Sequence, residues 1–106
     1  MIIQQAAINA AMLPWNDVEI RRFKARVGLF TRRGQHPIRA EFLADRLALR
    51  DQQRDDRRCC IECAHLDQRG RCFAAAQGWL KNTSTRHEPV VDILQRCERF
   101  TWQKPQ

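Results

Sequence analysis

The sequence predicts a small, mainly α-helical domain with a cysteine-rich loop in its C-terminal half. The chain has 106 residues, which is the usual length of one domain. Apolar residues recur at helical spacing in the first half, whereas residues 59–74 hold four cysteines without any long periodic run. We therefore expect a single domain with a basic helical part, residues 1–58, and a cysteine-rich part, residues 59–106.

The first half of the helical part contains signals for two helices. The apolar stretch 2–13 predicts a short helix that ends at Pro14, since proline does not continue a helix. The next helix should begin after an N-cap at Asn16 or Asp17 and end at Gly34. Its apolar stripe falls at helical spacing and consists of Ile20, Phe23, Val27 and Phe30.

Further helices are predicted after this point. One should start at Pro37, because proline is favoured in the first helical turn, and should continue into the polar stretch 51–58. Residues 74–81 predict a short turn of helix, and a last helix is expected to open at Pro89. The apolar set of the helix at Pro37 is Ile38, Phe42, Leu43, Leu47 and Leu49, and that of the last helix is Val90, Ile93, Leu94 and Cys97.

The five cysteines indicate a metal site rather than a disulfide framework. An odd number cannot all pair, and disulfides need an oxidising compartment. The first residues lack the positive charge of a signal peptide, and no run of about 18 apolar residues predicts a membrane span. We therefore expect a cytoplasmic protein without membrane contact, in which the thiols stay reduced.

The spacing of four of these cysteines predicts one structural zinc ion. Cys60 and Cys63 form a C-x₂-C pair, which places two sulfurs on one ion. Cys72 and, after a long spacer, Cys97 would complete the tetrahedron. An ion held in this way would tie the end of the chain to the cysteine loop.

Alternatives stay open for both the ligands and the cofactor. Cys59 is an alternative to Cys60, and His65 is an alternative to Cys97. Four cysteines also hold a 4Fe-4S cluster, and cysteines without any metal are common core residues. The loop is also compatible with a short β-hairpin around residues 63–73.

The charge of the chain suggests contact with nucleic acid. There are 19 Lys and Arg against 12 Asp and Glu, a formal charge of +7, and all but three of the cations are arginine. Arginine pairs bidentately with phosphate. Aspartates at positions 45, 51, 55 and 56 are interleaved, so a solvated face of salt pairs is the alternative. The candidates for a DNA-contacting surface are Arg21, Arg22, Arg26, Arg32, Arg33, Arg39, Arg46, Arg50, Arg54 and Arg57.

Residues 20–100 also carry a resemblance to known proteins. The runs Asp-Asp-Arg-Arg-Cys-Cys-Ile-Glu-Cys-Ala-His-Leu, Gly-Arg-Cys and Leu-Gln-Arg-Cys-Glu-Arg-Phe resemble cysteine-motif segments in replication and transfer proteins of bacterial plasmids, phages and integrated elements. The preceding runs Leu-Phe-Thr-Arg-Arg-Gly and Ala-Asp-Arg-Leu-Ala-Leu-Arg-Asp look similar too. The resemblance implies a setting in the DNA metabolism of a mobile element and identifies no catalytic residue. The chain departs from C₂H₂ zinc fingers, which need a paired histidine.

Catalysis is not expected. The chain has four glycines and no Gly-rich phosphate loop, and neither His36 nor His87 lies near a nucleophile motif. We therefore expect no catalytic residue and no small-molecule substrate. The expected function is that of a zinc-binding protein in DNA replication or transfer of a mobile element. The alternative is an adaptor or inhibitor that docks on a replication or transfer complex through Trp102, because tryptophan is enriched at interface hot spots.

Overall fold

Two long helices form the main body of the fold. The computed structural model describes residues 14–103. Helices α1 (Asp17–Arg32) and α2 (Pro37–Gln52) pack against each other. They run antiparallel, because Gln52 at the end of α2 donates to Glu19 in the first turn of α1 (Nε2 to Oε2, 3.2 Å). The mainly helical class is confirmed, and so are the predicted starts of both helices. The predicted helix at residues 2–13 lies outside the described residues.

The ends of α1 are set by its own sequence. Asn16 and Glu19 form a capping box, in which each side chain accepts a hydrogen bond from the backbone N–H of the other, at 3.0 and 2.8 Å. At the other end Gly34 has a φ of +97°, and Gln35 N–H donates back to the carbonyl of Phe30 (3.0 Å). This is a Schellman motif, which stops the helix where the glycine predicted it.

Helix α2 is shorter than predicted. It ends at Gln52, because Arg54 adopts a left-handed conformation (φ +57°) and Asp55 N–H donates to the carbonyl of Arg50 (3.1 Å). The helix therefore enters the polar stretch 51–58 only as far as Gln52, and the prediction is wrong for residues 53–58. This stretch has no apolar side chain to pack on the core, and the chain turns back instead to bring Cys59 inward.

The core lies between the two helices and the start of the cysteine-rich part. Its buried members are Phe30, Ala40, Leu43, Ala44, Leu47, Cys59 and Ile61, with Phe23, Val27, Leu29, Val91 and Leu94 packed against them. Three side chains assigned to the apolar set of α2 are instead exposed: Ile38, Phe42 and Leu49. They occupy the side of α2 that faces away from α1 and the loop, so this part of the prediction is wrong.

The cysteine-rich part consists mostly of turns. It contains a 3₁₀ turn (Cys60–Glu62) and one short helix, α3 (Phe73–Ala76). Of the hairpin considered around residues 63–73, the described residues show a single antiparallel bridge, between Leu66 and Cys72, and no strand.

The predicted last helix is absent from the described residues after Pro89. Its backbone bonds to the cysteine loop instead of to itself: Gln95 exchanges two hydrogen bonds with Arg58 (2.7 and 2.9 Å), and Ile61 N–H donates to the carbonyl of Val91 (3.0 Å). A helix would use these groups internally, so the two arrangements exclude each other. Val90 and Ile93, assigned to the apolar face of that helix, are accordingly exposed.

Within residues 14–103, none of the helices combines the length and the apolarity needed to cross a bilayer.

Candidate metal centre

The four cysteines predicted as zinc ligands line one small pocket. The pocket has a volume of about 30 Å³ and is contributed by three separate segments of the chain. Cys60 and Cys63 flank the 3₁₀ turn, Cys72 precedes α3, and Cys97 lies in the last segment. The other lining residues are His65, Leu66, Ala74, Pro89, Arg99 and Phe100. Across residues 14–103, however, no three or more His, Cys, Asp or Glu side chains approach each other closely enough to count as a formed metal cluster.

The 3₁₀ turn sets the direction of the first two thiols. Cys63 N–H donates to the carbonyl of Cys60 (2.9 Å), and Glu62 N–H donates to the carbonyl of Cys59 (3.0 Å). The carboxylate of Glu62 in turn accepts from Cys59 N–H (2.9 Å). This tight turn is the local structure that a C-x₂-C pair needs in order to present both sulfurs to one point.

Three of the sulfurs accept hydrogen bonds. The donors are Gln95 Nε2 to Cys60 (3.1 Å), His65 N–H to Cys63 (3.4 Å) and Ala75 N–H to Cys72 (3.5 Å). These donors orient the three sulfurs and would form the outer shell of a metal site.

Burial changes the acidity of the Cys60 thiol. It raises the pKa of this thiol to about 11, and negative charge on Cys63, Cys72 and Cys97 raises the pKa further. The other three sulfurs are therefore near enough to Cys60 to disfavour a negative charge on it. A cation among them would remove this repulsion.

The two alternative ligands occupy different places. Cys59 belongs to the buried core with Phe30 and Leu43, and burial together with the charge of Glu62 raises the pKa of its thiol to about 12. Cys59 does not line the cysteine pocket, whereas His65 does.

A set of ionic contacts joins the cysteine loop to the helices, and the sequence did not reveal it. Arg50 binds Glu62 bidentately (2.6 and 2.9 Å). Arg33 donates to the carbonyls of Ile61 and Cys63 (3.3 and 2.8 Å). These contacts of Arg33 and Arg50, here called the clamp, hold the turn of Cys60 and Cys63 from the ends of both long helices. No local signal identifies these partners, because they lie far apart in the chain.

These contacts correct part of the proposed DNA-contacting surface. Arg26 and Arg50 are buried, and Arg26 donates to Asp51 (2.6 Å) beside the Arg50–Glu62 pair. A buried guanidinium bonded to carboxylates is not available to phosphate, so the assignment of these two arginines to a surface is wrong.

The other candidates fall into two groups. In the first group the side chain already has a partner: Arg22 with Asp51, Arg33 with the cysteine loop, Arg39 with Asp92, and Arg57 with Asp55. The second group is exposed and makes no ion pair within the part of the chain that the structure describes: Arg21, Arg32, Arg46 and Arg54. Contact with a ligand would not require this second group to break an ion pair seen within residues 14–103.

Trp102 does not stand free as a docking residue. Its ring is half-buried, packs edge-on against Phe100 (4.9 Å between centroids) and lies under the guanidinium of Arg58 (4.8 Å). Its backbone forms an antiparallel bridge with Cys63. Trp102 therefore fastens the C-terminal segment to the cysteine loop, and its role in binding a partner stays a prediction.

Comparison with known proteins assigns no family. No protein-family model, no curated protein and no solved structure matches this chain. The resemblance to proteins of mobile elements therefore stays a prediction.

Proposed function

We propose that Cys60, Cys63, Cys72 and Cys97 bind one structural zinc ion. The observation that carries this proposal is that their side chains line a single pocket although they come from three segments. Zinc in structural sites takes four thiolates tetrahedrally at about 2.3 Å. Binding would require the four side chains to move together onto one ion, because within residues 14–103 they do not yet form a metal cluster. Cys59 supports the core and is not a ligand.

Elemental mass spectrometry tests this proposal. Untagged protein, purified without oxygen or chelator, should contain one zinc per chain. Cys60→Ser should lose the metal, whereas the neighbouring Cys59→Ser is the matched control and should retain it. If the protein instead contains iron and an equal amount of sulfide, the cofactor is a 4Fe-4S cluster and not zinc. The absence of any metal would refute the site.

We further propose that the protein binds nucleic acid without catalysing a reaction, in the replication or transfer of a mobile element in the reducing cytoplasm. The observation that supports binding is a set of exposed arginines on and beside the two long helices that make no ion pair with any residue from 14 to 103: Arg21, Arg32, Arg46 and Arg54. Such side chains release counterions from phosphates. The setting in a mobile element rests on the sequence resemblance alone.

Fluorescence anisotropy with labelled DNA at several salt concentrations tests nucleic-acid binding. The affinity should fall steeply as salt rises, and Arg46→Gln and Arg54→Gln should each reduce the logarithmic salt slope by about 1. Arg57→Gln is the matched control, because Arg57 is occupied by Asp55 and should contribute little. An affinity that does not depend on salt would contradict the proposal.

An adaptor is the second candidate, and one observation favours it. Ile38 and Phe42 are 72 % and 56 % exposed, and with Leu49 they form an apolar stripe along the outer side of α2. Exposed apolar patches often mark interaction sites. Phe42→Arg should abolish cross-linking to components of a replication or transfer complex and should leave the affinity for DNA unchanged. Cross-linking that persists in Phe42→Arg would exclude an adaptor that docks through this stripe.

A further inference from the structure

A second surface lies beside the cysteine pocket and is formed by three rings, His65, Phe73 and Trp79, here called the aromatic platform. The rings of His65 and Phe73 are nearly parallel (19°), with centroids 6.2 Å apart. Trp79 stands almost perpendicular to both, at 5.9 Å from His65 and 5.7 Å from Phe73. The three rings therefore hold one another in a fixed arrangement.

The backbone fixes the platform as well. Phe73 N–H donates to the carbonyl of His65 (2.7 Å), which joins the backbone of two of the three residues. Trp79 follows Gly78, whose φ is +75°, and its N–H donates back to the carbonyl of Ala74 (3.0 Å). This Schellman motif at the end of α3 places Trp79 over its own short helix. The rings are thus presented on ordered backbone rather than on a free loop.

The platform is exposed although it is aromatic. Phe73 is 47 % and Trp79 is 41 % exposed, whereas Ala74 and Ala75 of α3 are buried. Core packing therefore does not account for two large rings at this surface.

Two cations belong to the surroundings of the platform, with Glu98 next to one of them in the chain. The guanidinium of Arg99 lies 5.5 Å from the centroid of Trp79, and Lys81 follows two residues after that tryptophan. Both are exposed and, within residues 14–103, neither makes an ion pair. This differs from the helical part, where Arg39 and Arg57 are neutralised by aspartates.

We propose that the aromatic platform binds single-stranded nucleic acid, with unpaired bases stacking on Phe73 and Trp79 and phosphates contacting Arg99 and Lys81. Single strands are recognised by aromatic rings set among cations, because every unpaired base offers a face for stacking. Bases in a duplex are already stacked on one another and cannot use the rings. This inference rests on the proposed nucleic-acid binding and defines the form of the ligand.

The chain offers a matched pair of variants for the test. Phe73→Leu and Phe42→Leu each replace an exposed phenylalanine by an apolar side chain without a ring, the first on the platform and the second on α2. Binding is measured by anisotropy with a labelled oligothymidine of about 20 nucleotides, longer than the 4 to 16 that such surfaces cover, and with a duplex of equal length. Phe73→Leu should weaken binding of the oligothymidine about 10-fold, the loss of about one base stack, and Phe42→Leu should not change it.

Two further platform variants and two measurements of folding separate a loss of contact from a loss of structure. Trp79→Leu should weaken the oligothymidine complex by a similar factor, and Arg99→Gln should weaken it and lower its salt dependence. Zinc content and circular dichroism of each variant are compared with those of the parent protein. Loss of affinity in a variant with unchanged zinc and dichroism supports the platform.

The outcomes separate the two proposals. If the protein binds the oligothymidine and none of the three platform variants differs from Phe42→Leu, the platform is refuted and nucleic-acid binding stands. Tighter binding of the duplex than of the single strand refutes the platform in the same way. If neither oligonucleotide binds at low salt, both proposals fail.

Discussion

The buried ion pair between Arg50 and Glu62 provides a sharp test of how the two parts of the chain are held together. The side chains are 1 % and 4 % exposed and make two hydrogen bonds, at 2.6 and 2.9 Å. Glu62→Gln keeps the size of the side chain and an oxygen to accept from Cys59 N–H, and it removes only the negative charge. The variant therefore isolates the electrostatic contribution of the pair.

The expected loss of stability follows from the burial of both groups. Removing one member of a buried pair costs roughly 3 to 5 kcal/mol, since the other charge stays in a poorly solvated place. Arg50 also donates to Asp51 (2.9 and 3.1 Å), which compensates part of its charge. We therefore expect the lower end, about 3 kcal/mol. With a urea m-value of about 2 kcal/mol/M, the unfolding midpoint should fall by about 1.5 M.

Urea unfolding of the zinc-loaded protein, followed by circular dichroism, measures this shift. Asp56→Asn is the control, because it breaks an exposed pair with Arg96 (2.8 Å) and should leave the midpoint unchanged. Zinc content is determined for each variant, since Glu62 lies between two proposed ligands. If Glu62→Gln retains zinc and unfolds at the same urea concentration as Asp56→Asn, the clamp does not stabilise the fold as argued.

Three other predictions concern acid, backbone conformation and metal. Burial raises the pKa of Asp51, but hydrogen bonds and charges from Arg26 and Arg50 outweigh it and hold the pKa below 3.8. The stability that this carboxylate contributes is therefore present above about pH 4 and is lost at lower pH. The difference in unfolding free energy between the parent and Asp51→Asn should shrink from about pH 5 to about pH 2, and a constant difference would contradict the assignment. Gly34→Ala should destabilise the protein by about 1 kcal/mol, because the φ of +97° strains a side chain although nothing crowds the added Cβ. Arg54→Gly should stabilise the protein slightly, because Arg54 already adopts a positive φ. Unfolding midpoints in urea that equal that of the parent would argue against the two Schellman motifs. Chelation of the metal should shift tryptophan emission to the red as the cysteine-rich part opens, and an unchanged spectrum in metal-free protein would show that zinc is not structural.

The parts of the fold that could be predicted depend on signals between near neighbours in the chain. Asn16 with Glu19, Gly34 and Pro37 set the ends of the long helices through contacts within a few residues. The choice of Cys60, Cys63, Cys72 and Cys97 also came from local spacing, and the structure brings these four to one pocket.

The parts that could not be predicted depend on partners distant in the chain. The apolar spacing after Pro89 suggested a helix, but the segment pairs with Arg58 and Ile61 across the loop, and periodicity carries no information on such pairing. The sequence around Arg50 does not distinguish it from a surface arginine, because its partner Glu62 lies in another segment of the chain. Likewise, the sequence could not distinguish Cys59 from Cys60, because only the core decides which of two adjacent thiols turns inward.

The clamp also determines how metal removal must be interpreted. Arg33 and Arg50 hold the turn of Cys60–Glu62 from the ends of α1 and α2, and Ile61 of that turn is part of the helical core. On its other side the turn leads directly to His65 of the aromatic platform. Opening the metal site would therefore disturb both the helices that carry the exposed arginines and the aromatic platform. A loss of nucleic-acid binding in metal-free protein is expected whichever surface makes the contact, so only substitutions at the exposed side chains can identify it.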